Sequence, residues 1–118
     1  MDLTNRGLTA PALRAALLGD DLPPAPAFLD VSDNRLLGDD GARVVCEYAG
    51  RTAPLTAIRM WNCGLTCDGA GHLAAAVRAH RSLRVVQLWG NAVGPDAQRA
   101  VDRALSGPRS VSSATDSA

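Results

Sequence analysis

The sequence has no lysine, a single glutamate and few aromatic residues, which make up 3% of its 118 positions. The twelve basic residues are therefore all arginines, and twelve acidic residues balance them to a formal net charge of zero. The arginines are scattered along the chain. Because nucleic-acid-binding domains concentrate positive charge on one face, this composition argues against a nucleic-acid partner.

Long apolar runs and targeting segments are also missing. No apolar stretch approaches the ~20 residues that span a membrane, so we expect no membrane partner. Asp2 stands near the start, and Pro11 and Arg14 interrupt the next stretch of the chain, which is not the pattern of a secretory signal. Three cysteines, an odd number without such a signal, predict reduced thiols. We therefore expect a cytoplasmic protein of one domain.

The chain repeats itself with a period of about 28 residues. Residues 55–82 read LTAIRMWNCGLTCDGAGHLAAAVRAHRS, and residues 83–110 beneath them read LRVVQLWGNAVGPDAQRAVDRALSGPRS. The same spacing recurs upstream at Leu29, Val31, Asn34 and Leu36, and more weakly at Met1, Leu3, Arg6 and Leu8. The second unit is one residue longer, and we place the extra residue within 37–41. A fixed period of this length predicts a stacked array rather than one globular core.

Each unit is predicted to contain a strand, a turn and a helix. Apolar residues two apart, such as Ile58 and Met60, fit a short strand with one buried face. An asparagine follows at the turn, where its amide can satisfy unpaired backbone groups. The second halves switch to helical spacing, with Thr9 and Thr66 as N-caps. Predicted strands are Asp2–Thr4, Asp30–Ser32, Ile58–Trp61 and Val86–Trp89, and predicted helices are Ala10–Leu18, Asp39–Ala49, Asp68–Ala79 and Pro95–Leu105.

The same pattern predicts which side chains form the core. The strand positions expected to be buried are Leu29, Val31, Ile58, Met60, Val86 and Leu88. Cys63 takes the asparagine position of its unit and is expected to be buried with them. The helix positions expected to be buried are Leu73, Val77, Val101 and Leu105.

The half-motif L-x-x-L-x-L-x-x-N/C-x-L followed by a helix resembles the leucine-rich repeat. The repeat length and the small residue just inside each helix (Gly41, Gly69, Ala97) are similar to the long cytosolic class of ribonuclease inhibitor, NOD-like receptors and Ran GTPase-activating proteins. The resemblance implies an α/β leucine-rich repeat solenoid of about four units, with parallel strands on the concave face and helices on the convex face. Arg6 stands where that family has Asn or Cys, so the first unit is atypical.

This organisation gives one array over residues 1–106, with units near 1–27, 28–54, 55–82 and 83–106. Residues 20–27 (DDLPPAPA) predict an extended, proline-rich connection between the first two units. Residues 107–118 continue without a leucine pattern and are predicted to be a disordered tail.

The sequence favours neither catalysis nor metal binding. No Ser/His/Asp arrangement, phosphate loop or metal motif connects the polar residues, so we predict no enzyme and no cofactor. Cys63 and Cys67 form a C-x-x-x-C, with Cys46 and His72 elsewhere. As a zinc site this is weak, because the repeat explains Cys63 and an early helix position accounts for Cys67.

A binding surface is better supported. Residues between the buried strand positions must face the concave side, and they trace three columns across neighbouring strands: Thr4, Ser32, Trp61 and Trp89; then Asp2, Asp30, Arg59 and Gln87; then Phe28, Ala57 and Val85. Both tryptophans thus fall on adjacent strands about 4.8 Å apart, and we expect both to be substantially exposed. Trp and Arg are enriched in binding hot spots. The predicted partner-binding residues are Trp61, Trp89, Arg59, Gln87, Asp30 and Phe28.

A simpler interpretation of the same residues stays open. The tryptophans could only cover the sheet or stack on each other, and Arg59 with Asp30 could be a surface salt bridge contributing under ~1 kcal/mol.

We hypothesise a non-catalytic interaction module whose concave face holds a protein partner of unknown identity, with the oligomeric state undetermined. The alternative is a structural piece, either a fragment of a longer array or a small subunit of an assembly, because four short units have little core. A small-GTPase regulator is less favoured, since it rests on the repeat class alone.

Overall fold

The computed structural model describes residues 1–19, 27–51, 55–80 and 82–106. In this part of the chain the elements follow in the order α1 (Ala10–Leu18), β1 (Phe28–Asp30), α2 (Gly38–Arg51), β2 (Ala57–Arg59), α3 (Cys67–Ala79), β3 (Val85–Gln87) and α4 (Pro95–Ser106). All four predicted helices are present, within two residues of their predicted bounds. The predicted tail at 107–118 and nearly all of the proline-rich connection lie outside the described residues.

The strands form a parallel sheet in the order β1-β2-β3. Leu29 pairs with Ile58, which pairs with Val86, so each strand meets its neighbour one repeat later. The prediction for the first strand was wrong, because only an isolated bridge between Asp2 and Asp30 forms there. Backbone hydrogen bonds still join this segment to β1 and the turn after it, from the Leu3 N–H to the Asp30 carbonyl at 2.8 Å and from the Asn5 N–H to the Ser32 carbonyl at 3.0 Å.

The strands begin and end earlier than the apolar pattern predicted. Backbone bonds do continue past the strand ends, for example from the Met60 N–H to the Gln87 carbonyl at 2.9 Å. The chain then turns at Asp33 and Asn62, which have φ values of 63° and 53°. Asn and Asp tolerate this left-handed region better than other non-glycine residues, so the turn ends the regular pairing.

The core lies between the sheet and the helices. Ten of the eleven side chains predicted to be buried are buried. Leu105 is the exception, because it is only partly buried. It lies near the C-terminal end of α4, and among the described residues α4 packs against one helix neighbour only, α3.

The asparagine predicted at each turn joins neighbouring units. The Asn34 side chain is fully buried, and its Oδ1 accepts the N–H groups of Arg6 and Leu8 at 2.9 and 3.0 Å. Its Nδ2 donates to the carbonyls of Leu3 and Val31, both at 2.8 Å. One side chain therefore satisfies backbone groups of its own unit and of the unit before it.

Asn91 repeats this arrangement between the third and fourth units. Its Oδ1 accepts the N–H groups of Cys63 and Leu65 at 2.8 and 3.0 Å, and its Nδ2 donates to the carbonyls of Met60 and Leu88. Cys63 lies at the same repeat position. Its thiol sulfur is 3.2 Å from the Val31 carbonyl oxygen and 3.4 Å from that of Trp61, so its single S–H has two carbonyls within reach. We refer to Asn34, Cys63 and Asn91 as the turn ladder.

The extra residue of the second unit does not lie within 37–41, the range predicted for it. Leu37 is 2% exposed and Leu36 is 69% exposed, so Leu37 and not Leu36 takes the core position of Leu65. The glycines inside the helices support this assignment. Gly41 packs against Leu37 and Gly69 contacts Leu65, and in both pairs the leucine lies four residues before the glycine. The inserted residue therefore lies in the turn after Asn34, where it pushes Leu36 into solvent.

Two helices have a threonine as N-cap, as predicted: Thr9 for α1 and Thr66 for α3.

A carboxylate links α2 and α3. Asp39 of α2 reaches across to α3, where its Oδ1 accepts the N–H groups of Thr66 and Gly69 at 2.8 and 3.0 Å. Burial opposes ionisation of Asp39, but the hydrogen bonds from Thr66 and Gly69 outweigh it and lower the pKa of the carboxyl group.

Candidate functional site

The face of the sheet turned away from the buried Leu29, Ile58 and Val86 is called the open face. The register places Asp30, Arg59 and Gln87 side by side on it, and likewise Phe28, Ala57 and Val85. Trp61 and Trp89 follow directly after β2 and β3, where the Asn62 N–H donates to the Trp89 carbonyl at 2.9 Å. The six predicted partner-binding residues, Phe28, Asp30, Arg59, Trp61, Gln87 and Trp89, thus lie together.

Four of these residues form one continuous stack across the open face. The rings of Trp61 and Trp89 are parallel, with centroids 5.1 Å apart and an interplanar angle of 7°. The Arg59 guanidinium carbon lies 4.5 Å from the Trp61 ring centroid and 5.2 Å from that of Phe28. Aromatic stacking and cation–π contacts at these distances are attractive. We call Phe28, Arg59, Trp61 and Trp89 the aromatic stack.

The two tryptophans differ in exposure, although the repeat makes them equivalent. Trp89 is 71% exposed. Trp61 is only partly exposed, which corrects the expectation that both would be largely open. Trp89 covers one side of its ring and Arg59 the other, and its indole N–H is buried with no hydrogen-bond partner among the described residues. Trp61 therefore packs beneath the exposed surface, and Trp89 forms most of the tryptophan surface that a partner could contact.

The charge of Arg59 is held within the open face by polar neighbours. Its Nε donates to Gln87 Oε1 at 3.0 Å, and its Nη1 lies 3.4 Å from Asp30 Oδ2. Asp30 is itself buried and also accepts the Ser32 N–H at 3.0 Å. Because Arg59 and Asp30 pair with each other, this part of the open face offers planar and apolar contacts more than net charge. The guanidinium is also fixed in place, which lowers the entropic cost of using it in an interface.

The cysteines and histidine that we weighed as a zinc site are held separately. Cys63 is buried in the turn ladder, Cys67 is exposed at the start of α3 and Cys46 is partly buried. His72 Nε2 accepts from Arg43 Nε at 3.1 Å. Over the described ranges, no three His, Cys, Asp or Glu side chains are grouped so that they could hold a metal ion. Burial raises the pKa of both Cys46 and Cys63 to about 11, so neither is a ready nucleophile at neutral pH.

Two exposed apolar side chains were not among the predicted partner-binding residues. Val85 is 42% exposed and lies at the β3 end of the Phe28 column. Leu36 is exposed because the inserted residue displaces it. The four-residue distance between Gly41 and Leu37, repeated between Gly69 and Leu65, is the signal that could have located the insertion.

None of the helices in the described part of the chain has both the length and the apolar character needed to cross a membrane.

No known family model matches the sequence. Among solved structures, the C-terminal domain of tropomodulin from Caenorhabditis elegans is similar, with a TM-score of 0.65 at 16% identity. The match covers 83% of this chain and 57% of that domain, so the chain spans little more than half of its length. At this identity the likeness shows the fold alone. Together with the parallel strands and four helices, it shows that the chain has a mixed α/β fold of the leucine-rich-repeat type.

Proposed function

We propose that this protein is a non-catalytic interaction module that binds a partner protein through the open face of its sheet. The observation that carries the proposal is Trp89, which is 71% exposed on top of a fixed stack. Large aromatic side chains are costly to expose and are enriched in binding hot spots. A rigid tryptophan also loses little conformational entropy on binding, because its ring is already held by Trp61.

The partner surface that fits this face is apolar and planar. Phe28 and Val85 extend the exposed apolar area beside the stack, with 38% and 42% of their surfaces accessible. The neighbouring Arg59 and Asp30 neutralise each other, so a strongly charged partner gains little from them. We therefore propose a partner that places aromatic or aliphatic side chains against Trp89 and Val85.

We further propose a solenoid of the long cytosolic class, with the sheet concave and the location cytoplasmic. The helix glycines support this class, because a Cβ on Gly41 would lie 2.6 Å from Leu37 Cβ and one on Gly69 would lie 2.4 Å from Asp39 Oδ1. A small residue is therefore needed inside each of these helices. The 28- or 29-residue offset between paired strand residues supports the same class.

The experiment is affinity capture of a partner with the full chain, identification by mass spectrometry, and a binding titration. Trp89→Ala should weaken binding by about 2 kcal/mol or more, the usual threshold for a hot spot. The matched control is Arg78→Ala, which removes an exposed side chain from α3 on the helical side. Circular dichroism of each variant checks that the fold is retained.

Equal loss from the two variants would move the binding site off the open face. No loss from Trp89→Ala would remove the reason to regard the stack as a site. An isolated chain that is molten, and that folds only when a larger assembly is supplied, would favour the structural alternative instead.

A further inference from the structure

The internal units show what a neighbouring unit must supply. Four backbone N–H groups of the third unit donate to the fourth: those of Met60, Asn62, Cys63 and Leu65. Their acceptors are the carbonyls of Gln87 and Trp89, two residues apart, and the Oδ1 atom of Asn91. The first unit repeats the arrangement, with its donors accepted by the carbonyls of Asp30 and Ser32 and by Asn34 Oδ1.

The fourth unit carries the same four donors on its outer edge. They are the N–H groups of Leu88, Gly90, Asn91 and Val93, one repeat beyond those of the third unit. None of the four donates to an acceptor within the described ranges. The Leu88 carbonyl accepts only Asn91 Nδ2 there, which leaves a lone pair for a second donor. Beyond the end of β3, the outer edge therefore presents these four donors and the Leu88 carbonyl in the geometry of an internal interface.

Apolar surface beside these donors is also incompletely covered. Trp89 stacks on Trp61 on one side, and its other side, away from β2, belongs to the outer edge. Val93, which carries one of the four donors, is only partly buried, although it packs against the core. An occupant of this edge would gain hydrogen bonds and apolar burial together.

We infer that the outer edge of the fourth unit binds a strand-and-turn segment of a partner protein, added parallel to β3. The segment has backbone carbonyls two residues apart and an asparagine two residues after the second one, as Gln87, Trp89 and Asn91 have. Its carbonyls accept the Leu88 and Gly90 N–H groups. Its asparagine accepts from Asn91 and Val93 and donates to the Leu88 carbonyl. Strand addition of this kind draws its affinity from main-chain hydrogen bonds.

A second copy of this chain, stacked head to tail, does not meet these requirements. Its first unit would bring Arg6 to the asparagine position, and a guanidinium has donors only. The N–H groups of Asn91 and Val93 would then face further donors instead of an acceptor. A partner segment with an acceptor such as asparagine at this place fits the edge better than a second copy does.

The test titrates the ¹⁵N-labelled full chain with a blocked peptide that has the sequence of residues 83–94, LRVVQLWGNAVG. The amide signals of Leu88, Gly90, Asn91 and Val93 should shift, and their hydrogen exchange should slow. The equivalent amides of the third unit, Met60, Asn62, Cys63 and Leu65, serve as internal controls and should not change. A matched peptide with Asn91→Arg, which copies the first unit, should bind at least tenfold more weakly.

Four results would overturn the inference. They are no binding by the first peptide, equal binding by the two peptides, shifts confined to the open face, and the same four shifts appearing without peptide as the chain is concentrated. The last would show that two copies pair along this edge. A failed peptide test leaves the open-face proposal standing, because the Trp89→Ala titration does not depend on these amides.

Discussion

Replacing Asn34 by alanine should remove the buried side-chain link between the first two units. The Oδ1 atom accepts two N–H groups, those of Arg6 and Leu8, and the side chain is 0% exposed. Alanine leaves both donors unpaired, and an orphaned buried donor costs about 1–3 kcal/mol. Because these N–H groups are only partly buried, the lower half of that range applies, so Asn34→Ala should cost about 2–4 kcal/mol.

Urea unfolding at fixed pH and temperature measures this loss as a lower midpoint with an unchanged slope. Asn91→Ala should move in the same direction by less, because Asn91 makes the same bonds but is only partly buried. It also gives a measurable variant if Asn34→Ala does not fold.

The matched control is Asn62→Gly. Asn62 lies next to the turn ladder and bonds through Nδ2 to Asp33 at an exposed site. Its φ of 53° suits glycine, so the change should stay within about 0.5 kcal/mol. A loss below about 1 kcal/mol for Asn34→Ala, or equal losses for it and the control, would refute the view that the buried amide joins the units.

Three further predictions concern the helices and thiols. Hydrogen bonds outweigh burial and lower the pKa of Asp39, so its contribution to folding stability is complete above the ordinary aspartate pKa of ~4 and is lost as pH falls through the lowered pKa. Asp39→Asn should flatten that part of the pH dependence of urea unfolding. An unaltered curve would contradict this role of Asp39. Gly69→Ala should lower the melting temperature, because its Cβ would lie 2.4 Å from Asp39 Oδ1. Gly71→Ala has nothing within 4 Å of its Cβ and should add up to about 1 kcal/mol of stability through helix propensity. A loss of stability in both variants would contradict the view that the contact with Asp39 distinguishes the two glycines. A thiol reagent should label the exposed Cys67 at once and the buried Cys63 only after unfolding, and early labelling of Cys63 would contradict its place in the core.

The period of the sequence was enough to predict the helices and the columns of the sheet. A residue and its equivalent one repeat later become neighbours in a stacked array, so Arg59 could be placed between Asp30 and Gln87 without coordinates. The turn ladder could be predicted in the same way, because Asn34 and Asn91 recur at one position where the chain leaves the strand.

Local details were harder to predict because they depend on more than the period. The strand ends are set by where the backbone turns, at Asp33 and Asn62, which the apolar pattern does not mark. The position of the inserted residue was not predicted correctly, because Leu36 and Leu37 are the same residue type and only their packing distinguishes them. The burial of Trp61 depends on its ring orientation relative to Trp89, which a column assignment leaves open.

Equivalent residues have different roles because the described units include both an interior and an outer edge. Trp61 lies between Arg59 and Trp89 and is covered on both sides, whereas Trp89 has a stacked neighbour on one side only. The N–H of Met60 has an acceptor in the next unit, and that of Leu88 has none in the described part of the chain. Repetition in the sequence specifies a bond or a contact at every unit, but each needs a neighbour to complete it. Inside the array, these hydrogen bonds and ring contacts stabilise the fold. At the outer edge of the described units, the equivalent N–H groups and the exposed ring have no neighbour, and these are the groups that we propose contact partners.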